Sequence, residues 1–530
     1  MAADKAVARA LGADSRLSDE QKGVALACSR ASEFAIVQGV PGAGKSCLIA
    51  SLVRALVASG QRVLVAAHSH AALDHILLKL LPPHPPHPPA DGGGGGGGAA
   101  GGDGDAGFAD GAPPPPFVRV APSSRAHVLT RPYSLDALLA HAPAGHAAQL
   151  VGGARVFGTT VSSCASGVLR AAAPFDVAIV DEAGQVAVLS ALGVLKLARR
   201  FVLVGDHFQL PPLVRAAEGL ARGGGAAAVG AEVAAEVGQL SESLMGRLAR
   251  SHPSSVLPLR TQWRMCADIA SVANSLFYSG LLECGSQQVA RRRLQLPLGA
   301  LQALAGEAGG RWQWASEALS PEWPVVVCDS DSVRVLGARG GSTTNEGEAQ
   351  VAVALAACAL RLGVPVREVA IISPFRAQLG RIRQLLDSPS ADAQPGGGGE
   401  AGAGGHSGAG STLGAGASGA ALAAQLRAVD VLTVDQSQGQ DRMLVIISLA
   451  KHNKHGAVGS LLADWRRLNV ALTRAQAKLI VLGSRSTLGG SAVPAELFAL
   501  AVARGWLLEL PPHASATGGE VGAPLQPPLT

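Results

Sequence analysis

The chemistry most directly indicated by the sequence is phosphate binding. The stretch GVPGAGKS, Gly39–Ser46, follows the strand-like run FAIV and precedes the helical run CLIASLVRALV. Glycines at this spacing let backbone N–H groups turn toward an anion at the start of the following helix. The lysine would reach the β- and γ-phosphates of a nucleoside triphosphate, and the serine would ligate Mg²⁺. The alternative is a glycine-rich turn that matches by chance. The predicted nucleotide-binding residues are Gly39, Gly42, Gly44, Lys45 and Ser46.

Two adjacent acids supply what a phosphate loop alone lacks. Asp181 and Glu182 end the apolar run FDVAIVDEAGQ. Asp181 would hold Mg²⁺ through water, and Glu182 would orient and deprotonate an attacking water. Carboxylates at the tip of a buried strand are costly without a partner, which favours a metal ion. The alternative is an acid pair that stabilises a helix dipole.

Two further segments carry polar groups at the ends of apolar runs. FVLVGDHFQLPPLV presents Gln209, whose neutral amide could sense the γ-phosphate, although an ordinary strand and turn would look similar. In DWRRLNVALTRAQAKLIVLG, Arg467 and Arg474 lie seven positions apart and share a helix face before a strand-like run. Such cations need an anion nearby. We expect Arg467 to form an ion pair with an acid.

Short apolar runs must position these residues. One series comprises FAIVQG, RVLVAA, RVFGTT, DVAIVDEA and RFVLVGD, and a second, after residue 320, comprises WPVVVCDS, EVAIISPF, VDVLTVDQ, MLVIISLA and KLIVLGS. Runs apolar on both faces suit parallel sheets covered by helices, so the sequence predicts an α/β fold with two units. The predicted boundaries are 1–285 and 286–510, with a flexible tail at 511–530. Two low-complexity tracts, about 82–116 and 388–419, are predicted to be disordered loops.

Composition restricts the class of protein. A chain of 530 residues with a formal net charge of +5 is too mildly basic for a charged coat on nucleic acid, but it allows a local basic groove. None of the seven cysteines approaches CxxC spacing, which argues against a zinc site or a cysteine-held iron–sulfur cluster within this chain. The charged N-terminus has no apolar segment of a signal peptide. We expect a soluble protein with reduced thiols.

Several motifs resemble those of superfamily 1 helicases of the 5′→3′ type, in the same order. They are LRTQWRMCADIASVANSLFYSGLLECG, IISPFRAQ, LTVDQSQGQDRMLVIISL and DWRRLNVALTRAQAKLIVLG. GSLLADWRRLNVALTRA and FVLVGDHFQLPPLV most resemble the helicase region of the eukaryotic replication helicase/nuclease family. The resemblance covers roughly residues 15–510. It implies two tandem RecA-like P-loop domains, interrupted by the two low-complexity loops, with ATP and Mg²⁺ as ligands.

The resemblance also implies roles for individual side chains. Gln21 would read the adenine, unless it is an ordinary polar helix residue. Trp263, where the family usually has tyrosine, would stack on the adenine, unless it is a buried core aromatic. Arg264 and Arg474 would reach the γ-phosphate from the second domain. Residues predicted to line the cleft between domains are Gln378, Gln438 and Gly439.

Hydroxyl-bearing residues at strand ends would contact single-stranded DNA, in a track that does not depend on sequence. Each of them could instead be a turn or cap residue. Arg291–Arg293 form a basic run that is either a solvated surface or a DNA contact. The predicted nucleic-acid residues are Ser69, His70, Thr159, Thr160 and Thr433.

The chain departs from the family in three respects. It has no nuclease domain or cysteine cluster, it lacks the small β-rich subdomain before the motor, and Gln440 stands where relatives usually have arginine. We therefore expect a motor module without nuclease activity. The predicted function is an ATP-dependent DNA helicase that moves 5′→3′ on single-stranded, flap or fork DNA in replication and repair. It would act in the nucleus, or else in the cytoplasm or mitochondrion, with single-strand-binding and replication proteins as partners and no membrane.

Two alternatives remain at this stage. One is an ATP-switched clamp that binds nucleic acid but unwinds little, which the missing accessory domains favour. The other is a related RNA helicase of the mRNA-surveillance family, although nothing in this sequence matches that family's cysteine- and histidine-rich zinc domain.

Overall fold

The computed structural model describes residues 2–81, 116–140, 147–213, 242–333, 343–387, 419–453 and 455–515. Apart from their end residues, the two predicted low-complexity loops lie outside the described residues, as does the predicted tail beyond residue 515. The chain forms two compact units, Met1–Thr261 and Gln262–Thr530. None of the helices in the described ranges has both the length and the apolar character needed to cross a membrane.

The first unit is built on a seven-stranded sheet in which neighbouring strands run parallel, in the order β3-β4-β2-β5-β6-β1-β7. Only β6 separates the strand before the phosphate loop, β1, from the strand that ends in the two acids, β5. Parallel strands bring their carboxyl ends to one edge of a sheet, so both motifs lie at the same edge. The strands are β1 Phe34–Gly39, β2 Val63–Ala67, β3 Val118–Val120, β4 Val156–Thr160, β5 Phe175–Asp181, β6 Ala198–Gly205 and β7 Val256–Leu259.

Helices flank this sheet and supply the rest of the core of the first unit. They are α1 Ala2–Ala13, α2 Asp19–Arg30, α3 Lys45–Ala58, α4 His70–Leu80, α5 Leu135–Ala140, α6 Ala147–Gly153, α7 Gly167–Ala172, α8 Val188–Leu195 and α9 Leu244–Ser251. All five predicted strands of this unit are present. The prediction missed β3, which has only three residues, and β7, which contains Pro258.

The second unit has a six-stranded sheet, also parallel between neighbours, in the order β12-β11-β13-β14-β10-β15. Its strands are β10 Val325–Asp329, β11 Val369–Ser373, β12 Asp430–Thr433, β13 Arg442–Ser448, β14 Ala475–Gly483 and β15 Leu507–Glu509. A separate two-stranded sheet pairs β8, Thr261–Gln262, with β9, Glu283–Cys284. The five strands predicted here are present as well, so the predicted α/β class with parallel sheets is confirmed.

The helices of the second unit pack around a core centred on β10, β11 and β13. They are α10 Ala267–Ala273, α11 Gln287–Ala290, α12 Leu298–Gly306, α13 Gln313–Leu319, α14 Glu346–Arg361, α15 Arg376–Asp387, α16 Gly419–Arg427, α17 Val434–Ser437, α18 Ser460–Ala463, α19 Trp465–Leu472, α20 Arg485–Leu488 and α21 Ala492–Arg504.

The division between the units lies earlier than the predicted boundary at residue 285. Residues 262–285 bond to the second unit. The Cys266 N–H donates to the Gln476 carbonyl at 2.9 Å, and the Asn469 amide donates to the Tyr278 hydroxyl at 2.9 Å. The sequence pattern predicts where strands lie. It does not predict these hydrogen bonds, which depend on the element that residues 262–285 pack against.

A lysine lies at the centre of the second sheet. Lys478, on β14, is fully buried, and its ammonium donates to the carbonyls of Ser320 (2.9 Å) and Trp323. Burial lowers the pKa of Lys478 to about 7. The two carbonyls accept hydrogen bonds from the ammonium, but burial in the core disfavours its positive charge. The protonation state of Lys478 therefore affects the stability of the fold.

The low pKa predicts that stability rises with pH. Between pH 7 and the ordinary lysine pKa of about 10.4, the unfolded chain binds more protons at residue 478 than the folded chain, so the free energy of unfolding increases with pH. Relative to Lys478→Met, the wild type should gain about 2 kcal/mol between pH 7 and pH 9. Urea denaturation at both pH values measures this difference. The exposed Lys196→Met variant should follow the wild type, and equal pH slopes for Lys478→Met and wild type would contradict the prediction.

Candidate active site

The phosphate loop joins β1 to α3 and depends on its glycines. Gly42 and Gly44 adopt left-handed backbone conformations, with φ of 78° and 74°, which side chains rarely allow. A Cβ on Gly39 would lie 2.7 Å and 2.8 Å from the Cγ and Cδ of Lys45. The Lys45 ammonium donates to the Gly39 carbonyl at 2.8 Å. The lysine stem therefore lies against the loop, and its cation is at the N-terminus of a 14-residue helix, where phosphate oxygens are favoured.

Gln21 supports the loop from α2. This buried side chain completes a capping box with Ser18, and its Nε2 donates to the Ala43 carbonyl at 2.8 Å. A Cβ on Gly44 would come within 2.6 Å of the same Nε2. Gln21 is therefore bonded to the phosphate loop, which an ordinary polar helix residue would not be. Its reading of adenine stays a prediction.

The two acids follow β5 in contrasting surroundings. Asp181 is buried. Burial raises the pKa of Asp181, the Glu182 charge raises it further, and Lys45 opposes both effects. Glu182 is half-buried and has a φ of 50°, a left-handed conformation that costs energy in a residue with a side chain. Such strain is concentrated at functional sites, where the surrounding packing holds it in place.

Two glycines hold the acidic turn against the next strand. A Cβ on Gly184 would lie 2.8 Å from the Asp206 carbonyl oxygen, and one on Gly205 would lie 2.9 Å from the Gly184 nitrogen. Both contacts are with backbone atoms, which cannot swing away as a side chain can. The turn after β5 and the turn after β6 are therefore packed directly on each other.

A buried hydrogen-bond network joins the strand ends beneath these turns. Asp206 accepts from the side-chain amides of Gln38 at 2.7 Å and of Gln209 at 2.9 Å. The Gln38 carbonyl oxygen lies 2.6 Å from Nδ1 of His207. The predicted sensor Gln209 is thus tied to β1 through Asp206. Sequence reasoning missed Gln38, although an amide in the otherwise apolar run FAIVQG was a signal.

These residues fit a Mg²⁺ ion held partly by its substrate. Within the described ranges, no group of three or more His, Cys, Asp or Glu residues could hold a metal by itself. Mg²⁺ is usually bound by one or two carboxylates together with phosphate oxygens and water. Asp181 and the half-buried Ser46 offer that donor set, and the nearby Lys45 cation lowers the pKa of the buried carboxylate against the effect of burial.

Two of the predicted nucleic-acid residues cap helices near the surface. The exposed Ser69 accepts from the Ala72 N–H at 3.2 Å, at the start of α4. Thr433 forms a capping box with Gln436 at the start of α17. The alternative role as caps is therefore confirmed for both. A cap position leaves the first N–H groups of a helix close by, where a phosphate could bind.

The other three predicted contacts have partners inside the first unit. Thr159 is fully buried and its hydroxyl donates to the Val120 carbonyl at 3.0 Å, while the buried Thr160 bonds to Ser163 at 2.9 Å. Nδ1 of His70 lies 3.2 Å from the guanidinium of Arg119. The prediction of DNA contacts is corrected for the two threonines. Their strand lies between β2 and β3, and the close packing of these strands encloses the hydroxyls.

His70 belongs to a buried polar cluster that sequence reasoning missed. Arg119, fully buried on β3, donates to Asp74 of α4 at 2.8 Å, and the Thr130 hydroxyl donates to the same carboxylate at 2.8 Å. Burial and the nearby Arg119 charge lower the pKa of His70. The cluster fixes α4 to the edge strand, so a neutral His70 has a structural partner here.

The two arginines predicted to bind the γ-phosphate share one carboxylate of the second unit. Arg264 Nε donates to Asp441 at 2.6 Å, and Nη1 of Arg474 lies 3.7 Å from the other oxygen of that carboxylate. Arg474 is buried and its Nε donates to the Val470 carbonyl at 2.9 Å. Arg467 pairs instead with Asp435 at 3.1 Å, as expected. Nothing in the sequence pattern indicated a role for Asp441.

Trp263 is an exposed aromatic. The residue is 41% exposed, so the alternative of a buried core aromatic is wrong. A Cβ on Gly285 would come within 2.5 Å of the indole ring, which shows that the ring lies directly on the Gly285 backbone. A ring supported from below and exposed elsewhere suits stacking against a flat ligand.

The residues predicted to line the cleft between domains have different surroundings; for Gln378 and Gly439 the resemblance also implies a nucleotide contact. Gln378 is fully buried. It accepts from the Asn345 N–H at 2.7 Å and donates to the Ser448 hydroxyl at 3.0 Å, so the prediction of a nucleotide contact is corrected to a structural role. The exposed Gly439 has a φ of 75° with no atom near a notional Cβ. Nε2 of Gln438 is buried with no hydrogen bond from within the described ranges.

Gln378 is part of a network around a buried acid, Glu348. This carboxylate accepts from the hydroxyls of Ser330 at 3.1 Å and Ser448 at 2.7 Å, and from the Ala450 N–H at 2.8 Å. Burial raises the pKa of Glu348 to about 7. Hydrogen bonds from three elements satisfy the carboxylate, which joins the ends of β10 and β13 to α14.

The predicted basic run lies beside the arginines. Arg291, Arg292 and Arg293 line an open pocket of about 510 Å³. Arg292 donates to the Arg264 carbonyl at 2.6 Å, and Arg293 pairs with Asp268 at 2.9 Å. Two members of the run therefore have structural partners, so it is not simply a solvated surface.

The contact between the two turns predicts the effect of one added methyl group. Gly184→Ala would push against the backbone of Asp206, so we expect it to destabilise the chain by about 1–3 kcal/mol and to displace Glu182. If Glu182 orients the attacking water as predicted, its displacement should lower the rate of ATP hydrolysis at least about tenfold.

Gly23→Ala is the matched control, since nothing lies within 4 Å of a Cβ at that position in the middle of α2. It should stabilise the chain by about 0.5–1 kcal/mol. Urea denaturation and steady-state hydrolysis measure both variants. Equal stability and activity of Gly184→Ala and wild type would show that the turns are not held by this contact.

Comparison with known proteins also finds similarity to nucleotide-binding and helicase proteins. One family model described as an AAA domain matches residues 240–486, and another with the same description matches residues 16–93 and 134–217. Among solved structures, the arterivirus nonstructural protein 10 helicase aligns over 89% of this chain and 63% of that one. It does so with a TM-score of 0.36 and 15% identity, too low to support an argument about the site.

Curated relatives match over most of this chain. DNA replication ATP-dependent helicase/nuclease DNA2 of Saccharomyces cerevisiae is 29% identical over 92% of this chain and 27% of the relative, and the Mus musculus protein of that name is 33% identical over 86% of this chain and 36% of the relative. The chain thus spans about a third of the length of these relatives. By its motifs, its matches to these two AAA domain models and these relatives, the chain resembles superfamily 1 helicases and, among them, the DNA replication helicase/nuclease proteins.

Proposed function

We propose that the chain is an ATP-dependent motor that translocates on single-stranded DNA and unwinds duplexes. The observation that carries the proposal is the first unit's sheet edge. Lys45 lies at this edge in a loop that depends on glycines in left-handed conformations. The same edge carries the buried carboxylate of Asp181 and that of Glu182, whose backbone is in a strained conformation. Nucleotide hydrolysis requires a cation that binds the phosphates and an acidic residue that orients the attacking water.

In the proposed reaction, water attacks the γ-phosphorus and the bond from that phosphorus to the bridging β–γ oxygen breaks, giving ADP and phosphate. Glu182 orients the water and takes its proton. Lys45 neutralises charge on the β- and γ-phosphates. Ser46 and Asp181 would hold Mg²⁺, which neutralises the same oxygens when bound. Gln209, tied to β1 through Asp206, would respond to loss of the γ-phosphate.

The second unit would contribute its arginines to the same nucleotide. Arg264 and Arg474 would stabilise the negative charge that develops on the transferred phosphoryl group, a contribution of about 10³–10⁵ in rate for comparable arginines. Gln21 and Trp263 would bind the adenine by hydrogen bonding and stacking. Gly439 and its neighbours would shape the same site.

Single-stranded DNA is the proposed track. The capped helix starts at Ser69 and Thr433 would bind backbone phosphates, because the first N–H groups of a helix have no partner within the helix itself. The relatives are named for DNA replication, which supports DNA over RNA, a nuclear location and, by the same resemblance, movement from 5′ to 3′. Binding through phosphates would be independent of base sequence and sensitive to salt.

ATP hydrolysis with and without single-stranded DNA tests the proposal. Lys45→Ala should abolish turnover, because the phosphates lose their cation. Arg474→Ala should lower kcat by about 10³ while nucleotide affinity changes much less, since the arginine acts on the transition state. A strand-displacement assay on duplexes with a 5′ or a 3′ tail then measures unwinding and its direction.

The possible results separate the alternatives. Hydrolysis stimulated by DNA without strand displacement would identify an ATP-switched clamp. Stronger stimulation by RNA than by DNA would favour an RNA helicase. A wild-type chain that does not hydrolyse ATP in the presence of DNA would overturn the proposal.

A further inference from the structure

The second unit carries a basic pocket at the amino edge of its sheet, where the parallel strands begin. The pocket is open and has a volume of about 510 Å³. Most of its lining comes from α11 and the segment that follows it, and Met443, near the start of β13, completes it. The other lining residues are three glutamines and the three arginines of the basic run, Arg291–Arg293. No acidic side chain of the described ranges lines the pocket, so it presents positive charge to a ligand.

Two of the three arginines are held in place by other residues. Nη1 of Arg292 donates to the Arg264 carbonyl at 2.6 Å and to the Gln476 side chain at 3.1 Å. Arg293 pairs with Asp268 at 2.9 Å and donates to the Arg292 carbonyl at 3.0 Å. Neutral acceptors hold a guanidinium without offsetting its charge, so only Arg293 is neutralised by its partner.

Arg291 is the member of the run that is free to contact a ligand. Its side chain is exposed and has no hydrogen bond or ion pair with another residue in the part of the chain that the structure describes. Gln287, one helical turn earlier, is also exposed and lines the same pocket. Three guanidiniums less the one carboxylate of Asp268 leave the run with a net charge of +2.

The side chains of the pocket match phosphate oxygens better than they match a protein segment. Arginine and glutamine are among the residues that bind the phosphate and sugar oxygens of nucleic acids. Protein partners usually bury large apolar or aromatic anchors, and Met443 is the one apolar side chain among the described lining residues. None of those residues is aromatic, so a base has no ring to stack on. Contacts here would therefore be with the backbone and independent of base sequence.

The pocket lies at the opposite edge of the second sheet from the proposed DNA track. Thr433 is the last residue of β12, at the carboxyl edge of this parallel sheet, whereas Met443 is the second residue of β13, at the amino edge. Met443 and the end of β13 at Ser448 are separated by about 16 Å, at roughly 3.3 Å per residue. A single strand bound along the carboxyl edge would leave the pocket open to a different part of the DNA.

We propose that this pocket is a second DNA site, which binds backbone phosphates outside the single-stranded track. Arg291 makes the phosphate contact, while Arg292 and Arg293 keep the local potential positive. On a duplex with a single-stranded tail, the track binds the tail and the pocket binds phosphates of the adjoining duplex. This inference rests on the proposed function, because it takes the track at Thr433 as given.

Binding of two DNA molecules to the full chain tests the proposal without ATP hydrolysis. One probe is a fluorescent single strand of about 10 nucleotides, within the site size of one single-strand-binding fold. The other is a duplex that carries the same strand as its tail. Arg291→Ala should weaken binding of the tailed duplex about fivefold at low salt, the loss of one exposed charge-assisted contact. Binding of the single strand should stay within about twofold of wild type. Fluorescence anisotropy measures both affinities.

The salt dependence of binding identifies the lost contact as one with phosphate. For the tailed duplex, Arg291→Ala should reduce the slope of log K against log salt by about 0.9. Arg291→Glu also repels phosphate, so it should weaken binding more than Arg291→Ala does. Arg199→Ala is the matched control, since it removes an arginine that is exposed on β6 and has no side-chain partner within the described ranges. Its affinity should stay within about twofold of wild type, with an unchanged slope.

An acidic protein segment is the competing ligand, and a fluorescent oligoglutamate peptide is the probe for it. If the peptide binds the wild type as tightly as the tailed duplex does and loses affinity in Arg291→Ala, the pocket binds acidic protein and the proposal is overturned. A rise in the KM for ATP in Arg291→Ala would assign the pocket to the nucleotide and would overturn the proposal as well.

The remaining outcomes separate this inference from the proposed function. Equal binding of the tailed duplex by Arg291→Ala and wild type overturns the second site and leaves the motor intact. Equal losses for the two DNA probes would place Arg291 on the track and also overturn the second site. A wild type that binds the tailed duplex through Arg291 but hydrolyses no ATP overturns the motor alone. A wild type that binds neither probe overturns both.

Discussion

The close backbone contact between the turns after β5 and β6 is the constraint on which the candidate site depends. Gly184 and Gly205 allow these turns to pack without side chains between them. The contact holds Glu182 in a left-handed conformation and brings the Asp206 network beneath the acidic turn. A parallel sheet places both turns at one edge, so the packing at that edge decides the direction of each candidate catalytic group.

Buried charge is handled differently in the two units, and the difference indicates function. Glu348 is buried, but hydroxyls and a backbone N–H satisfy it, so it serves the fold. Asp181 is buried beside Glu182, where a like charge adds to the cost of burial. A protein retains such an arrangement where an external cation offsets it, which is why Asp181 suits a metal-binding role.

The predicted roles of the hydroxyl- and amide-bearing residues show where a sequence pattern is enough to assign a side chain to a ligand and where it is not. Ser69, Thr159 and Thr433 all follow or end strand-like runs, and sequence reasoning assigned them one role. Ser69 and Thr433 cap helices near the surface, whereas Thr159 lies on β4 beside β3, where its hydroxyl donates to the Val120 carbonyl. The prediction missed β3 because three residues carry too little periodicity, and without that strand the burial of Thr159 could not be foreseen. Gln378 was misassigned for the same kind of reason, since its partners Asn345 and Ser448 are remote in sequence.

By itself, the sequence determined the ten central strands, the phosphate loop and the acid pair, because each depends on local residue order, on glycine conformation or on an apolar run of a few residues. The tertiary structure alone decided which polar side chains face a ligand and which bond to one another. Asp441 shows this most clearly. Its partners lie 177 positions before it, at Arg264, and on the turn before β14, at Arg474. No spacing in the chain reveals that pairing, because an ion pair depends on distance in space and not on distance along the sequence.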